Sequence, residues 1–162
     1  MKKTFTILFY GIGGQGVLTA SEICALACMN EGFHVKKSEV KGMAQRGGSV
    51  ESYVRFGKNV YAPLPEDETT DILVCLSTEE YLRMKNQLKA TGKDLFSYLD
   101  SADKAVGDRK IFINTYILGA LSVFLPVKEE NWLKALDDKL KKAKEENKQF
   151  FLMGRKKAQN DI

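Results

Sequence analysis

Six residues near the start of the chain, Gly11-Ile12-Gly13-Gly14-Gln15-Gly16, have the make-up of a ligand-holding turn. Glycines leave backbone N–H groups unshielded, and a helix starting there adds the positive end of its dipole, so such a turn favours a phosphate or a carboxylate. Gly11, Gly13 and Gly16 satisfy the Gly-x-Gly-x-x-Gly spacing of a dinucleotide site. Glu39 stands close to where the ribose-binding acid of such a site belongs, whereas Lys36 and Lys37 suit a 2′-phosphate instead. The Gly13-Gly14-Gln15 filling is not the usual one, which weighs against a working dinucleotide site. A second stretch, Gly42-Met43-Ala44-Gln45-Arg46-Gly47-Gly48, offers similar chemistry. Its paired glycines let N–H groups converge on an anion, Arg46 supplies a planar charged fork, and Gln45 supplies a donor and an acceptor. A tight turn with a structural Arg46 ion pair accounts for the same residues equally well.

Other reactive residues are sparse. The three cysteines, Cys24, Cys28 and Cys75, sit in apolar patterns, where Cys behaves as a small hydrophobe. They are too few for an iron–sulfur cluster, which takes about four thiolates. His34 is the single histidine, so a Ser-His-Asp triad or a histidine-based metal site is not expected.

The glycine run needs a strand before it and a helix after it, and the chain supplies both. Residues 4–10 are β-branched and aromatic, hence a strand. Val17, Ala20, Cys24, Ala27 and Cys28 recur at helical spacing, and Asn30-Glu31-Gly32 stops that helix. Strands are expected at 33–40, 49–56 and 71–76, with 41–48 a loop or short helix and 60–70 an exposed connection. Ser77 begins a helix with Glu80 at the capping-box position, carrying Tyr81, Leu82, Met84 and Leu88 towards Gly92. Residues 93–107 hold a possible short helix ending near Val106. A strand at 110–114, an apolar helix at 116–124 and an amphipathic helix at 130–143 follow. The last helix, 145–153, should end at Gly154 before a polar, frayed tail. The sum is one α/β domain spanning 1–162, a three-layer Rossmann-like fold with a mostly parallel or mixed sheet and helices on both faces. Residues 128–162 form its C-terminal helical segment.

The formal charge of +4 is concentrated in the last 35 residues, which carry 10 basic against 7 acidic side chains. This reads as a solvated helical tail, without the basic stripe and interleaved aromatics of a nucleic-acid binder. No run reaches the roughly 18 apolar residues of a membrane span, and the start lacks a leader pattern. A cytoplasmic protein is expected, with no membrane or nucleic-acid partner.

Three segments together carry a more specific signal. Gly11-x-Gly-Gly-Gln-Gly-Val-Leu-Thr-Ala-Ser21, Glu39-x-x-Gly-Met-Ala-Gln-Arg-Gly-Gly-Ser-Val50 and Val54-Arg55-Phe56-Gly57 closely resemble the gamma subunit or domain of 2-oxoacid:ferredoxin oxidoreductases. The likeness is greatest to the indolepyruvate type, and residues 5–57 carry most of it. Weaker agreement lies in residues 71–76, in Asn114-x-x-x-Leu118-Gly119-Ala120 and in Asn147-x-x-Phe150 to Gly154. Relative to that family, residues 89–110 are compressed, so the sheet is expected to be smaller at one edge. The resemblance implies a subunit of an enzyme that oxidatively decarboxylates a 2-oxoacid to an acyl-CoA and passes electrons to ferredoxin. Thiamine diphosphate, iron–sulfur clusters and CoA are then expected in the complex. None is held by this chain alone, and a large thiamine- and iron–sulfur-binding subunit is the partner. It implies ligand-binding or interface roles for Gly11, Gly13, Gly14, Gln15, Gly16, Met43, Gln45, Arg46, Gly47 and Gly48, with no catalytic residue assigned. The other readings of the same residues are a free-standing nucleotide-binding module and a structural adaptor.

Overall fold

The computed structural model describes residues 4–41, 48–65 and 69–162. Strand β1 (Thr4–Ile12) is buried on both faces: Ile7 and Phe9 point into one cluster, Leu8 and Tyr10 into another. Double burial explains why its sequence runs apolar rather than alternating. With β2 (His34–Lys41), β3 (Ser49–Gly57), β4 (Thr70–Cys75) and β5 (Leu88–Asp94) it forms a five-stranded sheet ordered β2-β3-β1-β4-β5. β4 runs parallel to β1 and to β5, while β3 is antiparallel to both β1 and β2. The sheet is therefore mixed, as expected.

Helix α1 (Val17–Glu31) packs on the Ile7–Phe9 face, and α3 (Tyr98–Val106), α4 (Ile113–Ser122), α5 (Glu129–Lys139) and α6 (Lys144–Asn160) contribute to the same core. The opposite face is covered at one end by α2 (Thr78–Met84), whose Met84 joins Leu8, Tyr10, Leu73 and Cys75. At the other end residues 60–64, expected to be a plain exposed connection, are strapped to the sheet. Val60 N donates to His34 Nδ1 (3.0 Å), Lys36 Nζ to the Tyr61 carbonyl (3.1 Å) and Arg55 Nη1 to the Ala62 carbonyl (2.7 Å). No helix among the described residues is long and apolar enough to cross a membrane.

Three expectations are corrected. The helix read from Ser77 towards Gly92 stops at Met84, and residues from Leu88 onward become β5. The cause is tertiary: β4 offers an unpaired edge, and Lys89 forms an ion pair with Asp71, whose other oxygen accepts from Thr6 N at 2.8 Å. Ser77 does stand at the N-cap of α2, but its side chain makes no capping bond. Second, residues 110–114 are no strand. Lys110–Phe112 is a 3₁₀ turn leading into α4, held by Phe112 stacked on Phe150 and by Asn114 on the glycine turn.

Third, Gly154 does not end the last helix, nor is the tail frayed. α6 runs to Asn160 with Ala158 fully buried. Gly154 is there because α4 and α6 cross with their backbones in contact. A Cβ on Gly119 would overlap the Phe151 carbonyl oxygen, and one on Gly154 would overlap the Tyr116 carbonyl oxygen. Neither obstruction is a side chain that can swing away. Gly154→Ala should therefore destabilise the fold by about 3 kcal/mol, at the upper end for overpacking, and urea denaturation will measure it.

A pH dependence comes from the far end of α1. Glu31 Oε2 accepts from Lys128 N (2.8 Å) and from Asn131 Nδ2 (2.6 Å), occupying donors at the start of α5. The backbone bond from Lys128, then that from Asn131, holds the Glu31 carboxyl below its ordinary value. The stabilisation is complete above that ordinary value and is lost as pH falls through the lowered one. Glu31→Gln should flatten this acid limb, so thermal midpoints of the two proteins will converge on acidification.

Candidate functional site

At the carboxyl ends of the parallel strands β1 and β4 the outgoing connections diverge: β1 leads to α1 on one face, β4 to α2 on the other. Such a divergence leaves a crevice outside the strand ends, the usual ligand position in open α/β sheets. A crevice is present here. One cavity of about 450 Å³ is lined by Ile12, Gln15, Leu76, Ser77, Phe96 and Asp100 among others. A neighbour of about 490 Å³ is lined by Gly14, Gln15, Gly16, Lys110 and Asn114 and shares Gln15, Leu76 and Ile113 with the first. A third, of about 320 Å³, lies on the other side of the turn against Val17, Leu18, Thr19 and Val50.

The glycine turn forms the ridge between these spaces. Gln15 folds back so that its Oε1 accepts from Ile12 N (2.8 Å), above Gly11 in the strand. Gly13 N donates to the Gly48 carbonyl at 3.0 Å, and Gly14 has no neighbour where a side chain would stand. Gly16 precedes α1 with φ of 80°, in the left-handed region, and a Cβ there would overlap the Asn114 amide. α1 carries no acidic side chain in its first turn and no side-chain cap, so its first N–H groups have no side-chain acceptor at the helix start.

The second motif is brought to the same edge by strand register. Because β3 is antiparallel to β1, Ser49 lies opposite Ile12 and Val50 opposite Gly11. The β2–β3 connection thus ends beside the glycine turn, with Gly48 bonded to it. Met43, Gln45, Arg46 and Gly47 lie outside the described residues. Glu39 goes elsewhere: β3 separates β2 from β1, about two strand spacings or 10 Å, and Glu39 pairs with Lys37. A dinucleotide site needs that acid on the strand next to β1, which is not the arrangement here.

Below the crevice floor, the Tyr81 hydroxyl donates to Asp94 Oδ2 at 2.5 Å, and its ring stacks on Phe96. The bond to Asp94 pushes the Tyr81 phenol up to about 12. Burial raises the Cys75 thiol, whose Sγ donates to the Ser77 carbonyl (2.9 Å), and raises the Tyr10 phenol beside it. Burial likewise raises Cys24. These groups keep their protons at neutral pH; the charged side chains at the crevice are Glu79, Asp100 and Asp103 around the first cavity and Lys110 at the second.

Sequence reasoning found the turn but not the other wall. Leu76, Ser77, Phe96, Lys110 and Ile113 were legible only through the rule that strand ends at a topological divergence line the site. Asn114 was noticed for its resemblance alone.

The family model for pyruvate ferredoxin/flavodoxin oxidoreductase matches residues 6–101. Indolepyruvate oxidoreductase subunit IorB of Thermococcus kodakarensis is 41% identical over 90 residues, 56% of this chain and 45% of that one. IorB of Archaeoglobus fulgidus is 49% identical over 77 residues, 48% of this chain and 38% of that one. The matches thus span less than half the length of these curated relatives. Among solved structures, the gamma subunit of a keto/oxoacid ferredoxin oxidoreductase from Geobacter sulfurreducens superposes with a TM-score of 0.78 at 28% identity, covering 96% of this chain and 99% of that one. The 2-oxoglutarate:ferredoxin oxidoreductase of Magnetococcus marinus shares the fold, with a TM-score of 0.82 at 21% identity over 99% of this chain and 32% of that one.

The turn's glycines separate into two kinds. Gly16→Ala should cost about 2 kcal/mol, since it adds left-handed strain to the collision with Asn114. A Cβ on Gly13 meets nothing nearer than the Gly48 oxygen at 3.9 Å, so Gly13→Ala should change stability by less than about 0.5 kcal/mol. Paired denaturation curves will show the split and leave Gly13→Ala as a folded probe of the turn's outer surface.

Proposed function

The chain belongs to the pyruvate ferredoxin/flavodoxin oxidoreductase family, and on that premise we propose that it is the small, gamma-type subunit of an indolepyruvate-type 2-oxoacid:ferredoxin oxidoreductase. In that role it works within a complex that oxidatively decarboxylates a 2-oxoacid to an acyl-CoA. The carrying observation is the convergence of both family motifs at one edge, marked by the bond from Gly13 N to the Gly48 carbonyl. Gly48, the last residue of the second glycine-rich segment, is there bonded to the first segment although 32 positions separate it from Gly16. The identity to the IorB subunits supports the indolepyruvate type over other 2-oxoacids.

The division of labour follows from the residues. An iron–sulfur cluster takes about four thiolates, and the three cysteines here are buried, with Cys75 on β4 apart from the α1 pair. Clusters therefore do not fit this chain and belong to a partner, as does thiamine diphosphate, which supplies the carbanion chemistry when bound there. What this chain offers is preorganised polarity. The open N–H groups of α1, the Gln15 amide and the Arg46 guanidinium favour the negative charges of a 2-oxoacid, a phosphate or a CoA at the shared site without themselves titrating. The ridge-like glycine turn, with nothing beside Gly14, leaves room for a partner surface to close the crevice.

The test is co-expression with the large subunit and purification without oxygen, followed by indolepyruvate- and CoA-dependent reduction of an electron acceptor. Arg46→Ala should lower turnover of the complex at least about tenfold, as expected for losing a charged contact, while the isolated chain keeps its thermal midpoint. An Arg46→Ala complex that assembles and turns over normally removes the role given to that loop. A chain that forms no complex but binds NAD or CoA alone returns the reading to a nucleotide-binding module.

A further inference from the structure

A buried polar chain runs from the glycine turn to the last helix. Asn114 Nδ2 donates to the Gly16 carbonyl (3.3 Å), and Asn114 Oδ1 accepts from Thr115 N (2.9 Å). The Thr115 hydroxyl donates to Asn147 Oδ1 (2.6 Å), and Asn147 Nδ2 donates to the Ala143 carbonyl (2.9 Å). Asn114, Thr115 and Asn147 are 8%, 1% and 7% exposed. Apolar side chains of similar size would fill this space between α4 and α6 with no polar group left to satisfy, so filling volume does not account for two amides and a hydroxyl in series.

The two ends of the chain show what it does. Both finish on the carbonyl of a residue that precedes a helix in the left-handed conformation: Gly16 before α1, with φ of 80°, and Ala143 before α6, with φ of 51°. Ala143 is the only non-glycine residue with positive φ among the described residues. A peptide unit is rigid and planar, so the Gly16 carbonyl and the Val17 N–H point in opposite directions as one body. Holding that carbonyl aims that N–H. The same carbonyl accepts from Ala20 N at 2.9 Å, which makes it the first rung of α1.

We infer that Asn114 is a positioning residue: through the Asn114–Thr115–Asn147 chain, the C-terminal helix pair sets the aim of the α1 N–H groups at the glycine turn. This rests on the reading of that turn as an anion-favouring site. Asn114 borders the second cavity beside Gly16, whereas Thr115 and Asn147 lie behind it. Asn114 acts through Gly16, the Thr115 N–H holds Asn114 Oδ1, and the Thr115 hydroxyl, 3.4 Å from that same oxygen, ties it to Asn147 on α6. A segment beyond the matched residues 6–101 is thereby coupled to the motif that the family model does match.

The experiment uses the full chain labelled with ¹⁵N, inorganic phosphate as the probe, and three variants. Asn114→Asp keeps the volume and loses the donor to Gly16, Thr115→Val removes the hydroxyl, and Thr115→Ser retains it. In Asn114→Asp, exchange of the Ala20 amide should quicken about tenfold, the value of one hydrogen bond, while Ile7 and Phe9 in β1 keep their protection. Phosphate should shift the Gly14, Gly16 and Val17 amide resonances of the unsubstituted chain, with about tenfold weaker affinity in Asn114→Asp and Thr115→Val and near-normal affinity in Thr115→Ser. Unchanged Ala20 exchange overturns the inference, and so does protection lost uniformly through β1, which marks a merely structural role. If Asn114→Asp fails to fold, Thr115→Val against Thr115→Ser decides by the same readouts. If phosphate shifts no resonance of the unsubstituted chain, the anion reading of the turn fails, and the Ala20 exchange alone decides the positioning role.

Discussion

The contact on which the crevice depends is between two backbones. Gly119 and Gly154 let α4 and α6 cross at a separation where no Cβ fits on either side. Close crossing fixes α4 in rotation as well as in distance, because a shift along either helix would bring a side chain against the opposing carbonyl. Only with α4 so fixed does Asn114 stand over Gly16, and Asn147 opposite Thr115. The glycine turn is thus held from two directions: along the chain by β1, and through space by a helix pair that starts about a hundred residues later. Packing at one end of the molecule becomes peptide orientation at the other.

That arrangement explains why an apparent dinucleotide fingerprint does not make a dinucleotide fold. Glycine spacing is a local property, and it is satisfied. The acid that completes such a site has to arrive on the neighbouring parallel strand, and here the neighbour on that side is the antiparallel β3. Inserting β3 removes Glu39 from reach and puts the start of β3, with Gly48, in its place. One change in strand order thus replaces a parallel neighbour by the antiparallel β3, whose first residues stand beside the glycine turn.

How much of this was legible in the sequence depends on the range of the interaction. α1, β3 and the buried β4 are specified by periodicity and burial within their own segments, and they stand where they were expected. The errors fall where a distant partner outweighs local preference. Residues 88–94 have a mixed composition that favours neither state, and the free edge of β4 with the Asp71–Lys89 pair settles it as strand. Residues 110–114 have the β-branched and aromatic content of a strand, yet Phe112 and Asn114 are drawn to Phe150 and Gly16. Gly154 has the look of a stop signal, because glycine that ends a helix and glycine that admits another backbone are spelt alike. Pairing it with Gly119 required the fold. The weak motifs around Asn114 and Asn147 were visible as words without a meaning until the hydrogen bonds joined them.

The same reasoning bears on why the crevice is open. Its floor is made from strand ends and its ridge from a turn, so the walls that would enclose a ligand have to come from elsewhere. Burial raises the thiol and phenols nearby, and the Tyr81 proton is committed to Asp94. With those protons held, what the turn adds beside the carboxylates of Glu79, Asp100 and Asp103 is aimed dipoles, which stabilise charge most where water is excluded. Exposed to solvent the α1 N–H groups are worth little, and beneath a partner surface they are worth several-fold more. A surface closing over this edge would therefore raise the value of those dipoles with no change in the residues themselves.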